Sequence, residues 1–142
     1  MIQRVQTIWL LLASVCGFIT LNTSFYTGIP KVLPTPPPAI LLTDINAKYN
    51  VILLVLTVAI ALASLIAIFL YKDRKMQLKI SIAALIASLG CVAFYFKLVQ
   101  DFTTGRYTLT SAIVFAIPVL LFFAVRNIYR DEKLVKSVDR LR

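Results

Sequence analysis

Lys72-Asp73-Arg74-Lys75-Met76-Gln77-Leu78-Lys79 is a short, basic stretch between two long runs that carry no charge. Tyr49 to Tyr71 is 23 residues without Lys, Arg, Asp or Glu, and Ile80 to Phe96 is 17. A transmembrane helix needs about 20 mainly apolar residues, and Lys/Arg-rich connections stay on the cytoplasmic side. The stretch therefore predicts a cytoplasmic turn between two transmembrane helices, and the rest of the topology follows from it.

The run before the turn predicts helix 2 at about residues 49–71, and the run after it predicts helix 3 at about 78–96. Ala59, Ala63 and Ala67 recur at i+4 on helix 2, and Ala83, Ala87 and Cys91 do so on helix 3. Small side chains let helix backbones approach closely in lipid, where packing drives association. These six residues are the candidate packing faces of an antiparallel hairpin. The uncharged part of helix 3 rises about 26 Å, slightly less than a ~30 Å hydrocarbon core. Lys79 and Lys97 at its ends extend it by reaching to the interfaces.

Further out lie two connections on the other side of the membrane. Residues 26–48 hold Gly28 and five prolines, with Pro34-Thr35-Pro36-Pro37-Pro38 read as an extended, stiff spacer. A docking peptide for a proline-binding partner is the less favoured reading. Residues 97–106 form the shorter outer loop. Helix 1 is expected at about 6–25, with Trp9 and Tyr26 at the interfaces, and helix 4 at about 107–125, with Pro118 inside it. A basic start before an apolar run also describes a signal peptide, and Ala13-Ser14-Val15-Cys16 resembles a lipoprotein cleavage box. Val15 is a poor small residue for such a box, and the apolar run continues well beyond it, so a retained span is preferred.

The tail, residues 126–142, has no Gly or Pro and should continue as an amphipathic helix with a basic polar face. Ile128, Leu134, Val135, Val138 and Leu141 lie on its apolar face, and Glu132 and Lys136 form a favourable i, i+4 pair. The N-terminus, the 72–79 turn and this tail hold 11 of the 15 basic residues; Lys31, Lys48, Lys97 and Arg106 are the remainder. The positive-inside rule then places both termini in the cytoplasm with four spans. Arg4, Arg126, Arg130, Lys133, Lys136, Arg140 and Arg142 become candidates for contact with partners or anionic lipid.

Composition agrees. The chain is 60% hydrophobic and 15% charged, with a mean hydropathy of +0.88, whereas soluble domains average about 45–50% apolar and about 25% charged. The net charge of +9 is explained by its placement at one membrane face. The tail lacks the interleaved aromatics of a nucleic-acid platform, and no nucleic acid is expected as partner.

Chemistry is sparse. The four expected spans contain no ionisable Asp, Glu, Lys, Arg or His, which argues against proton- or ion-coupled transport. Ser14, Thr20, Thr57, Ser64, Ser81, Ser88, Thr110 and Ser111 could line a neutral polar path, although bonding to their own helices is the commoner role of such residues. Cys16 and Cys91 lie inside apolar runs and form no CxxC pair, so a thiol-redox enzyme would need helices 1 and 3 to touch. The chain has no His, no zinc spacing and no Gly-rich phosphate loop, and no cofactor or metal is expected.

The start Met1-Ile2-Gln3-Arg4-Val5-Gln6-Thr7-Ile8-Trp9-Leu10-Leu11-Leu12-Ala13 and the end Arg130-Asp131-Glu132-Lys133-Leu134-Val135-Lys136-Ser137-Val138-Asp139-Arg140-Leu141-Arg142 resemble a family of small four-helix membrane proteins from Bacteroidetes, catalogued as a domain of unknown function. The resemblance implies a bacterial inner-membrane location and no particular activity.

The expected fold is all-α: a polytopic membrane protein with four transmembrane helices in two antiparallel hairpins and a C-terminal amphipathic cytoplasmic helix. The leading functional expectation is a non-enzymatic accessory or assembly subunit of a larger membrane complex. Its expected partners are membrane lipids and other membrane-protein subunits, and a homo-oligomer is compatible with the same faces. The alternatives are a small transporter or lipid-handling protein with a neutral polar path near Pro118, and a thiol-redox enzyme using Cys16 and Cys91.

Overall fold

The computed structural model describes residues 3–31 and 42–139, with side chains described for 5–31 and 42–135. The Pro34–Pro38 spacer lies outside the described residues. The elements are α1 (Gln3–Thr20), β1 (Tyr26–Pro30), β2 (Thr43–Ile45), α2 (Val51–Phe69), a 3-10 turn (Leu70–Lys72), α3 (Arg74–Val99), β3 (Phe102–Tyr107) and α4 (Ser111–Asp139).

The helices make an up-and-down bundle. α1 packs beside α2 and α4, and α3 beside the same two, so α1 and α3 lie on one diagonal. The buried positions show why. On α3 they are Gln77, Ser81, Ala84, Ser88, Cys91 and Tyr95, alternately four and three residues apart. On α4 they are Ser111, Val114, Ile117, Leu121, Ala124, Ile128 and Asp131. On α2, Leu53, Thr57, Ile60, Ser64 and Ala67 repeat the pattern, joined by Ala61. A mean spacing of about 3.5 keeps one stripe of each helix facing its neighbours.

The stripe is unusual in content. Its members are largely small or polar, while the large apolar residues Val55, Leu62, Ile66, Ile86, Leu89, Val119 and Phe122 face outward. Water would not tolerate that outer surface, and lipid does. Three helical segments, Val51–Lys72, Arg74–Val99 and Ser111–Val135, are long and apolar enough to cross a membrane. The apolar part of α1, Val5–Thr20, is shorter. The chain is a membrane protein with transmembrane helices.

Two expectations need correction. The all-α reading missed a three-stranded antiparallel sheet of order β2-β1-β3. β1 pairs with β2 at Tyr26↔Ile45, Thr27↔Asp44 and Gly28↔Thr43, and with β3 at Tyr26↔Tyr107, Thr27↔Arg106 and Gly28↔Gly105. The two connections expected to be separate loops are thus joined into one cap. α1 accordingly ends at Thr20, and α4 begins at Ser111, with Tyr107 in the sheet. Phe25 anchors the cap: it is 1% exposed, and its ring lies 4.5 Å from that of Tyr95 and 5.7 Å from those of Tyr107 and Phe115.

The second correction concerns the basic turn. Only Leu70–Asp73 turns, and Arg74–Lys79 is already α3. Asp73 is the N-cap, its side chain accepting from the Met76 N–H at 3.3 Å, which satisfies a donor the helix leaves free. Arg, Lys, Met, Gln and Leu after it are good helix formers, so the helix starts at the cap. The tail does continue as helix, as its lack of Gly and Pro predicts: α4 runs unbroken through Asp139.

Candidate functional site

Two places stand out inside the bundle. The first is at the end that carries the N-terminus of α1, the α2–α3 turn and the far end of α4. Asp131 is only 6% exposed. The Gln6 amide Nε2 donates to its Oδ2 and reaches the Asn127 carbonyl at 3.4 Å. Arg74 Nη1 donates to the Asp131 backbone carbonyl at 3.4 Å, and Gln77 is buried alongside. This cluster links α1, α3 and α4. The sequence places Asp131 in the charged, amphipathic tail; the signal that finds it in the interior is the 121-124-128-131 spacing, which continues the buried stripe of α4.

The second place lies between all four helices. Thr20, Thr57, Ile60, Ser88, Cys91, Tyr95, Val114 and Ile117 line a small cavity of about 10 Å³, whose exposed lining is almost wholly apolar. That is room for about one water molecule. Tyr95 Oη is buried and has no hydrogen-bond partner among the described residues.

The hydroxyls proposed for a polar path mostly serve the backbone. Thr57 Oγ1 donates to Leu53 O at 2.8 Å, Ser64 Oγ to Ile60 O at 2.8 Å, Ser88 Oγ to Leu85 O at 2.7 Å, and Thr20 Oγ1 to Gly17 O at 2.7 Å. Ser14 Oγ reaches across to Ala61 O on α2 at 3.0 Å. Thr110 Oγ1 donates to Ser24 O at 2.5 Å, holding α4 to the loop before β1. Ser81 Oγ has no partner among the described residues.

Cys16 is half-buried and Cys91 buried, and both are free. They stand on the diagonal pair α1 and α3, and Cys91 Sγ lies 3.8 Å from Thr57 Oγ1. Among the described residues no group of three or more His, Cys, Asp or Glu is placed to hold a metal ion.

The expected small-residue faces are only partly in the interior. Ala67 and Cys91 are buried, Ala63 and Ala87 half-buried, and Ala59 and Ala83 exposed. An i+4 repeat advances about 40° past a full turn at each step, so it drifts off the buried stripe. The tight helix contact is instead between α1 and α2. A Cβ at Gly17 would stand 2.9 Å from Ala61 Cβ, so the pair permits an approach no larger residue allows. Arg126, Arg130 and Lys133 are exposed on α4; the side chains of Arg4, Lys136, Arg140 and Arg142 lie outside the described residues.

Neither a curated protein nor a solved structure matches this sequence. A protein-family model does, over residues 2–141, which is nearly the whole chain. The chain belongs to the family described as Domain of unknown function (DUF4293).

Proposed function

We propose that this protein is a non-enzymatic, multi-pass subunit of a bacterial cytoplasmic-membrane complex, with an accessory or assembly role and both termini in the cytoplasm. The observation that carries the reading is Gly90. It lies on an outward face of α3, and among the described residues a Cβ added there meets nothing within 4 Å. Glycine in a helix interior costs about 0.5–1 kcal/mol relative to alanine, and no packing among the described residues requires it. Ala83 and Ala93 are exposed on the same helix. Another transmembrane helix lying on that face would use the missing side chains, because close backbone approach is what small residues supply in lipid. The basic residues at the end of α4 suit the cytoplasmic leaflet.

The test is native purification from solubilised membranes, with a tag in the first outer loop so that both termini stay free, read by mass spectrometry. The expected result is a stoichiometric membrane-protein partner with wild-type protein and its loss with Gly90→Leu. Recovery of the wild-type chain alone, or only as a homo-oligomer, overturns the accessory reading.

A further inference from the structure

We infer that the outward face of α3 is the docking surface for a transmembrane helix of a different subunit, one that carries an Asp or Glu at each end of its span. This rests on the accessory reading and gives the partner its chemistry. The buried residues of α3 are Gln77, Ser81, Ala84, Ser88, Cys91 and Tyr95, alternately four and three apart. Lys79, Ala83, Ile86, Gly90, Ala93 and Lys97 repeat that spacing two residues later, and all six are exposed. A shift of two residues turns about 200° around a helix. α3 therefore carries a second stripe opposite the first, in the phase along which helices pack side by side.

The contents of the stripe point to its occupant. A lysine stands at each end, and neither amine has a hydrogen bond or ion pair among the described residues. Between them Ala83, Gly90 and Ala93 are small, and Ile86, 65% exposed, is the one large side chain. Lysines alone would suit lipid headgroups. Acyl chains, however, pack on leucine as well as on glycine, and a neighbouring helix is what uses missing side chains. A second copy does not fit. Copies in one membrane share an orientation, so a two-fold axis along the membrane normal would set Lys79 against Lys79 and Lys97 against Lys97. Acidic residues on the partner turn that repulsion into attraction. Both ends of the stripe are cationic, so the partner needs an acid at each end whichever way it runs. Lys79 and Lys97 stand about 27 Å apart along the helix axis, which sets the separation of those two acids.

The test puts a photo-crosslinking amino acid in place of Ile86 in native membranes, with Val55, exposed on α2, replaced in the same way as the control. Mass spectrometry identifies the adducts. The expected adduct, formed from position 86 and not from 55, is to one transmembrane helix with an Asp or Glu at each end. The deciding variant is Lys97→Glu, since an acid on the outer side does not oppose the positive-inside rule. Adduct yield should fall about tenfold, and exchanging the partner's facing acid for Lys should restore it. Arg106→Glu, at an exposed position of β3, makes the same charge change and should leave the yield as it was. If Lys97→Glu does not accumulate, Lys97→Gln gives the same reading with a smaller fall. An adduct with a second copy, with lipid alone or with a helix lacking the acids overturns the inference, as does a yield that the Lys97 variants leave unchanged. The accessory reading survives these outcomes where native purification still recovers a stoichiometric partner, and falls as well where it recovers none.

Discussion

The Gln6 side-chain amide donates a hydrogen bond to the carboxylate of Asp131, 125 residues away in sequence. This bond ties the first turns of the chain to the last turns of the bundle, on the same face as Arg74. Asp131→Ala removes the acceptor and leaves a buried amide without its partner. The expected cost is about 1–3 kcal/mol. It should be local as well as global: amide hydrogen exchange over residues 5–10 should quicken more than over 80–90. Asp131→Asn keeps an acceptor oxygen and should lose less. Equal exchange changes along all four helices would show that the bond does not specifically hold α1.

The glycines divide into two groups by what surrounds them. A Cβ on Gly105 would stand 2.5 Å from the Thr27 carbonyl oxygen and 2.6 Å from Tyr26 Cε1, and one on Gly28 would stand 2.5 Å from the Thr104 carbonyl oxygen. The Tyr26 ring lies against the paired glycines Gly28↔Gly105, so the sheet closes only where both side chains are missing. Gly105→Ala should destabilise by about 1–3 kcal/mol through overpacking. Gly90→Ala should be neutral or stabilise the isolated chain by up to about 1 kcal/mol. Thermal unfolding of the two variants side by side checks both signs.

This sheet also shows where sequence reasoning stops. The long helices were legible because twenty-residue apolar runs have few other solutions. The end that carries the basic turn was legible from charge alone. The strands were not, because Tyr26–Pro30 pairs with Phe102–Tyr107 across more than seventy residues and each strand is short. Period-2 alternation has little room to show in five or six residues, and Pro30 and Gly28 argue locally for a loop. Asp131 was missed for a different reason. Charge marked it as tail, while its position in the alternating three-and-four spacing marked it as interior, and the spacing governs. The buried stripe was legible in principle on α3, where Gln77, Ser81, Ser88 and Cys91 hold its positions, but a search for small residues at i+4 follows a neighbouring, drifting face.

The cysteines should behave as two separate thiols. They stand on diagonal helices, and Cys91 is 6% exposed. Copper-phenanthroline oxidation of the folded protein should therefore yield no Cys16–Cys91 bond, and a maleimide should label Cys91 only after denaturation. Mass spectrometry of the oxidised and labelled protein reads both results. An efficient internal disulfide under native conditions would require α1 and α3 to meet, and would return the thiol-redox reading to favour.

α1 and α2 meet where Gly17 faces Ala61, with Ser14 Oγ bonded to the Ala61 carbonyl at 3.0 Å. Among the described residues α1 has the shortest apolar stretch of the four helices, Val5–Thr20, so its place in the membrane depends more on its neighbours than on its own hydropathy. Gly17→Leu should push α1 off α2, whereas Phe18→Leu, on an exposed position of the same helix, should not. A topology reporter active only outside the cytoplasm tests this and the orientation together. Placed in the loop between β1 and β2 it should be active, and placed after Arg142 it should be silent. With Gly17→Leu, protein levels or the activity of the loop fusion should fall, because a displaced α1 no longer has a bundle to enter. A fusion active after Arg142 would reverse the assignment of the basic end to the cytoplasm. Full tolerance of Gly17→Leu would mean that α1 is held by Gln6, Asp131 and the lipid rather than by its contact with α2.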